Sequence, residues 1–241
     1  MDPRVTFKID QRKDLASAKT FINEAGFDDG RNLKWALFKK HPSLRKVVTQ
    51  KDGPDYQALR RYIEKIYQAD KRAIASNFKI YQANWRKIEN DFFCLTDELF
   101  PRTAWPKGRY IAYATIWGMF PRFLDDKTFQ IPIKYRSKRY VSVIIAHEML
   151  HFLFYAHLRK DYPQYKDPKH SFFIWHISEI FNALVQDSPS WMEVFRKRTM
   201  PYPEHARTIR ALRKRYSDPV GLGADGLIRV IVPFAKKLVK A

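Results

Sequence analysis

Val141-Ser142-Val143-Ile144-Ile145-Ala146-His147-Glu148-Met149-Leu150-His151-Phe152-Leu153-Phe154-Tyr155 sets three titratable side chains inside an otherwise apolar run. Residues 139–159 hold neither Gly nor Pro, so the spacing predicts one long buried helix. On that helix His147 and His151 are i and i+4, one turn apart on one face, with Cβ atoms about 5–6 Å apart. Two imidazoles so placed can share one zinc ion at about 2.0–2.1 Å each. Glu148 projects beside them, positioned to take a proton from water and hand it to a leaving group. The pentapeptide alone is a weak signal. Its apolar setting sharpens it, because polar groups buried without partners are costly and this triplet must be paired or ligated.

Outward from this helix the chain alternates between clear elements and breaks. Residues 160–169 read as a polar loop, residues 171–185 as a second helix, and Pro189 as the close of that region. Upstream, residues 110–117 are β-rich. Residues 127–133 alternate and hold Pro132, which suits an edge strand. Before the change of pattern at Pro101 the chain is mainly helical. Val5–Ile9 alternates as a short strand, and residues 14–25 form a helix closed by Gly26. Residues 33–39 form another that ends before Pro42, and Lys51-Asp52-Gly53-Pro54 is a break. Residues 55–99 read as one or two amphipathic helices, with Leu59, Tyr62, Ile63, Ile66 and Tyr67 on one stripe. The divisions are a helical part at 1–100, a catalytic core at 101–195 and a basic tail at 196–241.

A catalytic zinc normally takes three protein ligands and a water. Four side chains compete for the third place: His157, His170, His176 and Glu179. Glu179 is preferred. It lies inside the second predicted helix among Ile177, Ile180, Phe181 and Leu184, where an unligated carboxylate would be costly. His170 follows the charged run Lys166-Asp167-Pro168-Lys169, which suits a solvated loop or a helix cap. His176 stands one turn before Glu179.

Over residues 110–185 the chain resembles the zincin metallopeptidases, whose mark is H-E-x-x-H. Glu179 on a following helix is similar to the third ligand of the gluzincins, such as thermolysin-like peptidases. Their usual aspartate four residues later is here Ala183, which leaves Asn182 or Asp187 to orient a histidine. Metzincins place a third histidine where His157 stands but need a glycine turn where this chain has Phe154. As a second choice, His170-Ser171-Phe172-Phe173-Ile174-Trp175 resembles the third-ligand segment of SprT-like peptidases. The resemblance implies an α+β, zincin-like fold: a small mixed sheet, an active-site helix and a helical N-terminal part. It also implies bound Zn2+, a peptide or protein substrate, and an edge strand at 127–133 along which that peptide could lie. Tyr202 and His205 stand where gluzincins carry an oxyanion donor, although an ordinary surface turn explains them as well.

Composition bounds the rest. Apolar residues at 45% and aromatics at 15% argue for a packed core. The 45 basic and 25 acidic residues leave a net +20, which invites a nucleic acid or another anionic surface. Residues 196–241 hold 12 Lys or Arg and 3 Asp or Glu, a net +9. A SprT-like protease acting on DNA-bound protein, or a non-catalytic basic zinc-binding module, fits that charge. The sole cysteine, Cys94, excludes an internal disulfide and a cysteine zinc cluster, and reads as a small buried apolar residue. Met1-Asp2-Pro3-Arg4 lacks a signal-peptide core, and the titratable triplet makes residues 141–155 a poor membrane span, so the cytoplasm is the expected address. Gly221-Leu222-Gly223-Ala224-Asp225-Gly226 matches a dinucleotide-binding glycine pattern, but no strand leads into it and a flexible linker is the better reading.

Overall fold

A computed structural model of the chain describes residues 3–23, 33–48 and 53–240. In chain order they form β1 (Val5–Ile9), α1 (Gln11–Asn23), α2 (Leu33–Lys40), α3 (Arg45–Val48), α4 (Tyr56–Ala69), α5 (Lys71–Arg86) and α6 (Glu89–Leu99). Then come β2 (Tyr110–Thr115), β3 (Arg122–Phe123), β4 (Thr128–Pro132), α7 (Tyr140–Asp161) and α8 (Ser171–Gln186). The chain closes with α9 (Pro189–Phe195), α10 (Pro203–Arg215) and α11 (Gly223–Lys240). The architecture is mixed α+β and mainly helical. Ala25 and Gly26, expected to end the first helix, and Lys51 and Asp52 of the expected break lie outside the described residues.

One unit comprises Arg4–Gln82 and Arg109–Val141. It contains a sheet ordered β1-β2-β4-β3. β1 runs parallel to β2 from Val5↔Tyr110 to Ile9↔Ala114, β2 runs parallel to β4, and β3 is antiparallel to β4. The expected edge strand is therefore not an edge: β4 pairs on both sides, and all its residues are buried. Pro132 fits because the next residue does the bonding, Ile133 N donating to Thr115 O at 2.9 Å. The stretch at 55–99 divides into three helices rather than one or two. Asp55 starts the first by accepting from Gln57 N and Ala58 N, both at 2.9 Å. Leu59, Ile63 and Tyr67 of α4 form its buried stripe. The Tyr67 hydroxyl reaches Asp14 of α1 at 2.8 Å, and Thr115 Oγ1 of β2 donates to the same carboxylate at 2.6 Å.

The other unit comprises Met1–Pro3, Ala83–Gly108 and Ser142–Ala241. α8 is its axis, buried continuously from Ile174 to Gln186, and α9, α10 and α11 pack on it. The segment expected as a basic tail at 196–241 carries α10 and α11 over its described residues. Ile209 and Leu212 of α10 and Leu227, Ile228, Ile231 and Ala235 of α11 are buried. The glycine segment at 221–226 is no linker either, because a 3-10 turn at Pro219–Leu222 and the first turn of α11 occupy it. Gly223, at φ 64, supplies the left-handed step between them. Pro189 opens α9 instead of closing the region, its missing N–H being harmless at a first helical position. Cys94 is exposed rather than buried. α6 buries Glu89, Phe92, Phe93, Thr96 and Leu99, and that periodicity leaves residue 94 on the outer face. α7 is long and apolar enough to cross a membrane by length and composition, but 78% of its apolar window is buried inside the protein.

Candidate metal centre

The i, i+4, i+8 face of α7 carries Val143, His147 and His151. The i, i+3, i+7 face of α8 carries Glu179, Asn182 and Gln186. The two faces meet antiparallel, since His151 contacts Glu179 while Val143 contacts Gln186. Glu179 Oε2 lies 3.0 Å from His147 Nε2, and Glu179 Oε1 lies 3.3 Å from His151 Nε2. One carboxylate oxygen thus serves each imidazole. The two rings stand at 81° with centroids 4.7 Å apart.

These three side chains fit a cation. Their ligand atoms all lie within 4.8 Å of one another. Tetrahedral bonds of about 2.0–2.1 Å would hold ligand atoms about 3.3–3.4 Å apart, so an ion could enter with little side-chain movement. The electrostatics point the same way. Burial pushes the Glu179 carboxyl up, but His151 and His147 outweigh burial and hold it well below its ordinary value. Burial pulls the His147 imidazole down, yet Glu179 beside it leaves it raised overall. The carboxylate thus favours positive charge at the two imidazoles, a proton or a cation alike. His151 is 0% exposed, Glu179 4% and Glu148 6%, whereas the His147 side chain is 23% exposed and forms the open side.

The competing histidines lie elsewhere. His157 bonds Thr103 Oγ1 at 2.9 Å and Asp225 Oδ1 at 3.0 Å. His170 sits at the N-terminus of α8 with its ring 5.9 Å from that of Tyr165. The SprT-like ligand set is therefore not assembled. His176 Nδ1 lies 2.7 Å from His205 Nε2. His205 is fully buried in the first turn of α10, so the expected surface turn is absent; Tyr202, just before that helix, is 43% exposed.

Two partners were open in the sequence, and a third was not foreseen. Asn182 Nδ2 donates to the backbone oxygen of His147 at 3.0 Å rather than orienting its ring. Asp187 pairs with Arg213 and accepts from Thr199 N at 2.7 Å, away from the histidines. Gln186 takes the ring instead, its Oε1 lying 3.0 Å from His147 Nδ1. The available signal was its position seven residues after Glu179, on the same helical face. No family model, curated protein or solved structure matches the chain.

Proposed function

We propose that the chain is a zinc-dependent hydrolase, a zincin-like metallopeptidase that cleaves peptide bonds. The observation supporting this most directly is the meeting of His147, His151 and Glu179 ligand atoms within 4.8 Å, with Glu148 in the same helical turn. The donor set, two imidazoles and one carboxylate, is that of a catalytic rather than a structural zinc site, which would close with four protein ligands. A zinc ion bound there supplies Lewis acidity, lowering the pKa of water and polarising a carbonyl. His147, His151 and Glu179 hold the ion, and the partly open His147 side admits substrate. Glu148 accepts the proton of the attacking water and returns it to the leaving amine. Its placement is consistent with that role, because its charge is felt at His147.

Metal analysis of the purified protein, with a peptidase screen, tests this reading. Wild type is expected to hold one zinc per chain, and a His147→Ala, His151→Ala double variant none. Glu148→Gln is expected to keep the zinc and to lose hydrolysis by about 10²–10⁴-fold. Equal, near-zero zinc in wild type and double variant would sink the metal site. Full hydrolysis by Glu148→Gln would remove the assigned base.

A further inference from the structure

We propose that Gln186 is a positioning residue that fixes His147 as the Nδ1–H tautomer and so aims its Nε2 lone pair at the cation seat. This rests on the metal reading above. A glutamine side chain has two unlike ends, one that only donates and one that only accepts. Gln186 Nε2 donates to Val143 O at 2.9 Å, and a carbonyl oxygen cannot donate in return. The end facing His147 Nδ1, at 3.0 Å, is therefore the amide oxygen. Reversing the amide would set two acceptors against each other at Val143 and, with Gln186 only 1% exposed, would do so away from solvent. An acceptor at 3.0 Å requires the proton on Nδ1; the Glu179 carboxylate at Nε2 holds a second proton there until a cation displaces it, which leaves Nε2 as the lone pair of a neutral, ligating imidazole. That nitrogen is the one 3.0 Å from Glu179, inside the cluster.

The backbone of the same residue is held too, by Asn182 Nδ2 on His147 O at 3.0 Å. Two amides on one face of α8 thus grip His147 at its ring and at its carbonyl, beside the carboxylate that shares the ion. A carboxylate would also accept from Nδ1–H, as outer partners of zinc-bound histidines commonly do. The amide does so without adding a third negative charge next to Glu148 and Glu179.

The test compares wild type, Gln186→Met and Gln186→Glu in the full chain. Zinc affinity is read by chelator competition, and the His147 Nδ1–H proton is followed by NMR in zinc-loaded protein with 15N-labelled histidine. Gln186→Met keeps the shape and removes the acceptor. It is expected to weaken zinc by about 10–100-fold and to shift the Nδ1–H resonance or lose it to exchange with solvent. Gln186→Glu, protonated on the oxygen that faces Val143 O, restores both the donor and the acceptor and is expected to keep the resonance and most of the affinity. Unchanged affinity and resonance in Gln186→Met would overturn the role of Gln186 while leaving the zinc site standing; a wild type that binds no zinc overturns both. If Gln186→Met does not fold, Gln186→Glu decides, and loss of the resonance in that variant overturns the proposal.

Discussion

A carboxylate shared between two imidazoles cannot be removed quietly. Glu179 gives one oxygen to each ring, at 3.0 and 3.3 Å, and is almost wholly buried. Glu179→Ala is expected to reduce zinc affinity by more than the about 10–100-fold typical of losing an outer partner. His170→Ala, at a helix end outside the cluster, is expected to leave it within about twofold, as an uncoupled surface change should. Competition against a chromophoric chelator measures both, and the opposite ranking would return His170 to the site. At this scale the sequence was legible where geometry is local. The spacing of His147 and His151 fixes a shared face before any tertiary structure exists. Glu179 could be favoured over His157, His170 and His176 only through the cost of burying its charge. Gln186 carried no such cost. An amide in an apolar helix reads as filler until a second helix supplies the ring it faces.

Helices and strands reach one another through a few buried polar ties, and Asp14 of α1 is the clearest. It accepts from Tyr67 of α4 at 2.8 Å and from Thr115 of β2 at 2.6 Å. Burial nevertheless dominates and raises its carboxyl from 3.8 to about 6. A raised folded value means the native state binds the proton more tightly than the unfolded chain. The contribution is fully present below about 4 and is lost as pH rises through about 6, a change of about 3 kcal/mol at 1.36 kcal/mol per unit. Asp14→Asn is expected to flatten the wild-type fall in stability across that window. Urea midpoints taken from pH 4 to pH 7 check this, and parallel curves for the two proteins would refute it. Element types were legible because period and punctuation are local, as β1 and α8 illustrate. What each element packs against was not. β4 alternates with a proline like an edge strand, yet the short β3, too brief to show a period, covers its outer side.

Across the whole molecule the net +20 is carried partly by folded surface. α10 buries His205, Thr208, Ile209 and Leu212 and turns Arg207, Arg210 and Lys214 outward at i, i+3, i+7. Deleting the C-terminal residues would therefore strip α8 of its cover, and charge reversal is the sounder probe. Any binding to nucleic acid is expected to run through this stripe. Arg207→Glu, Arg210→Glu and Lys214→Glu together should weaken it and lower the salt slope by about 1 per lost phosphate contact. A triple variant with parental affinity and slope would clear α10 of that role. The sequence misread this region because basic residues with glycines nearby resemble a solvated tail, while the apolar periodicity of α11 is interrupted by Pro233. The two units also interleave along the chain, cutting across divisions drawn at 100 and 195.

The uneven exposure of the three candidate ligands sets a direction of traffic. His151 and Glu179 are sealed, and only His147 meets solvent. An ion held among them would enter and leave past His147, on the side by which water and substrate reach it. A chelator would have to come by the same side, so a substrate lying across it would also shut the ion in.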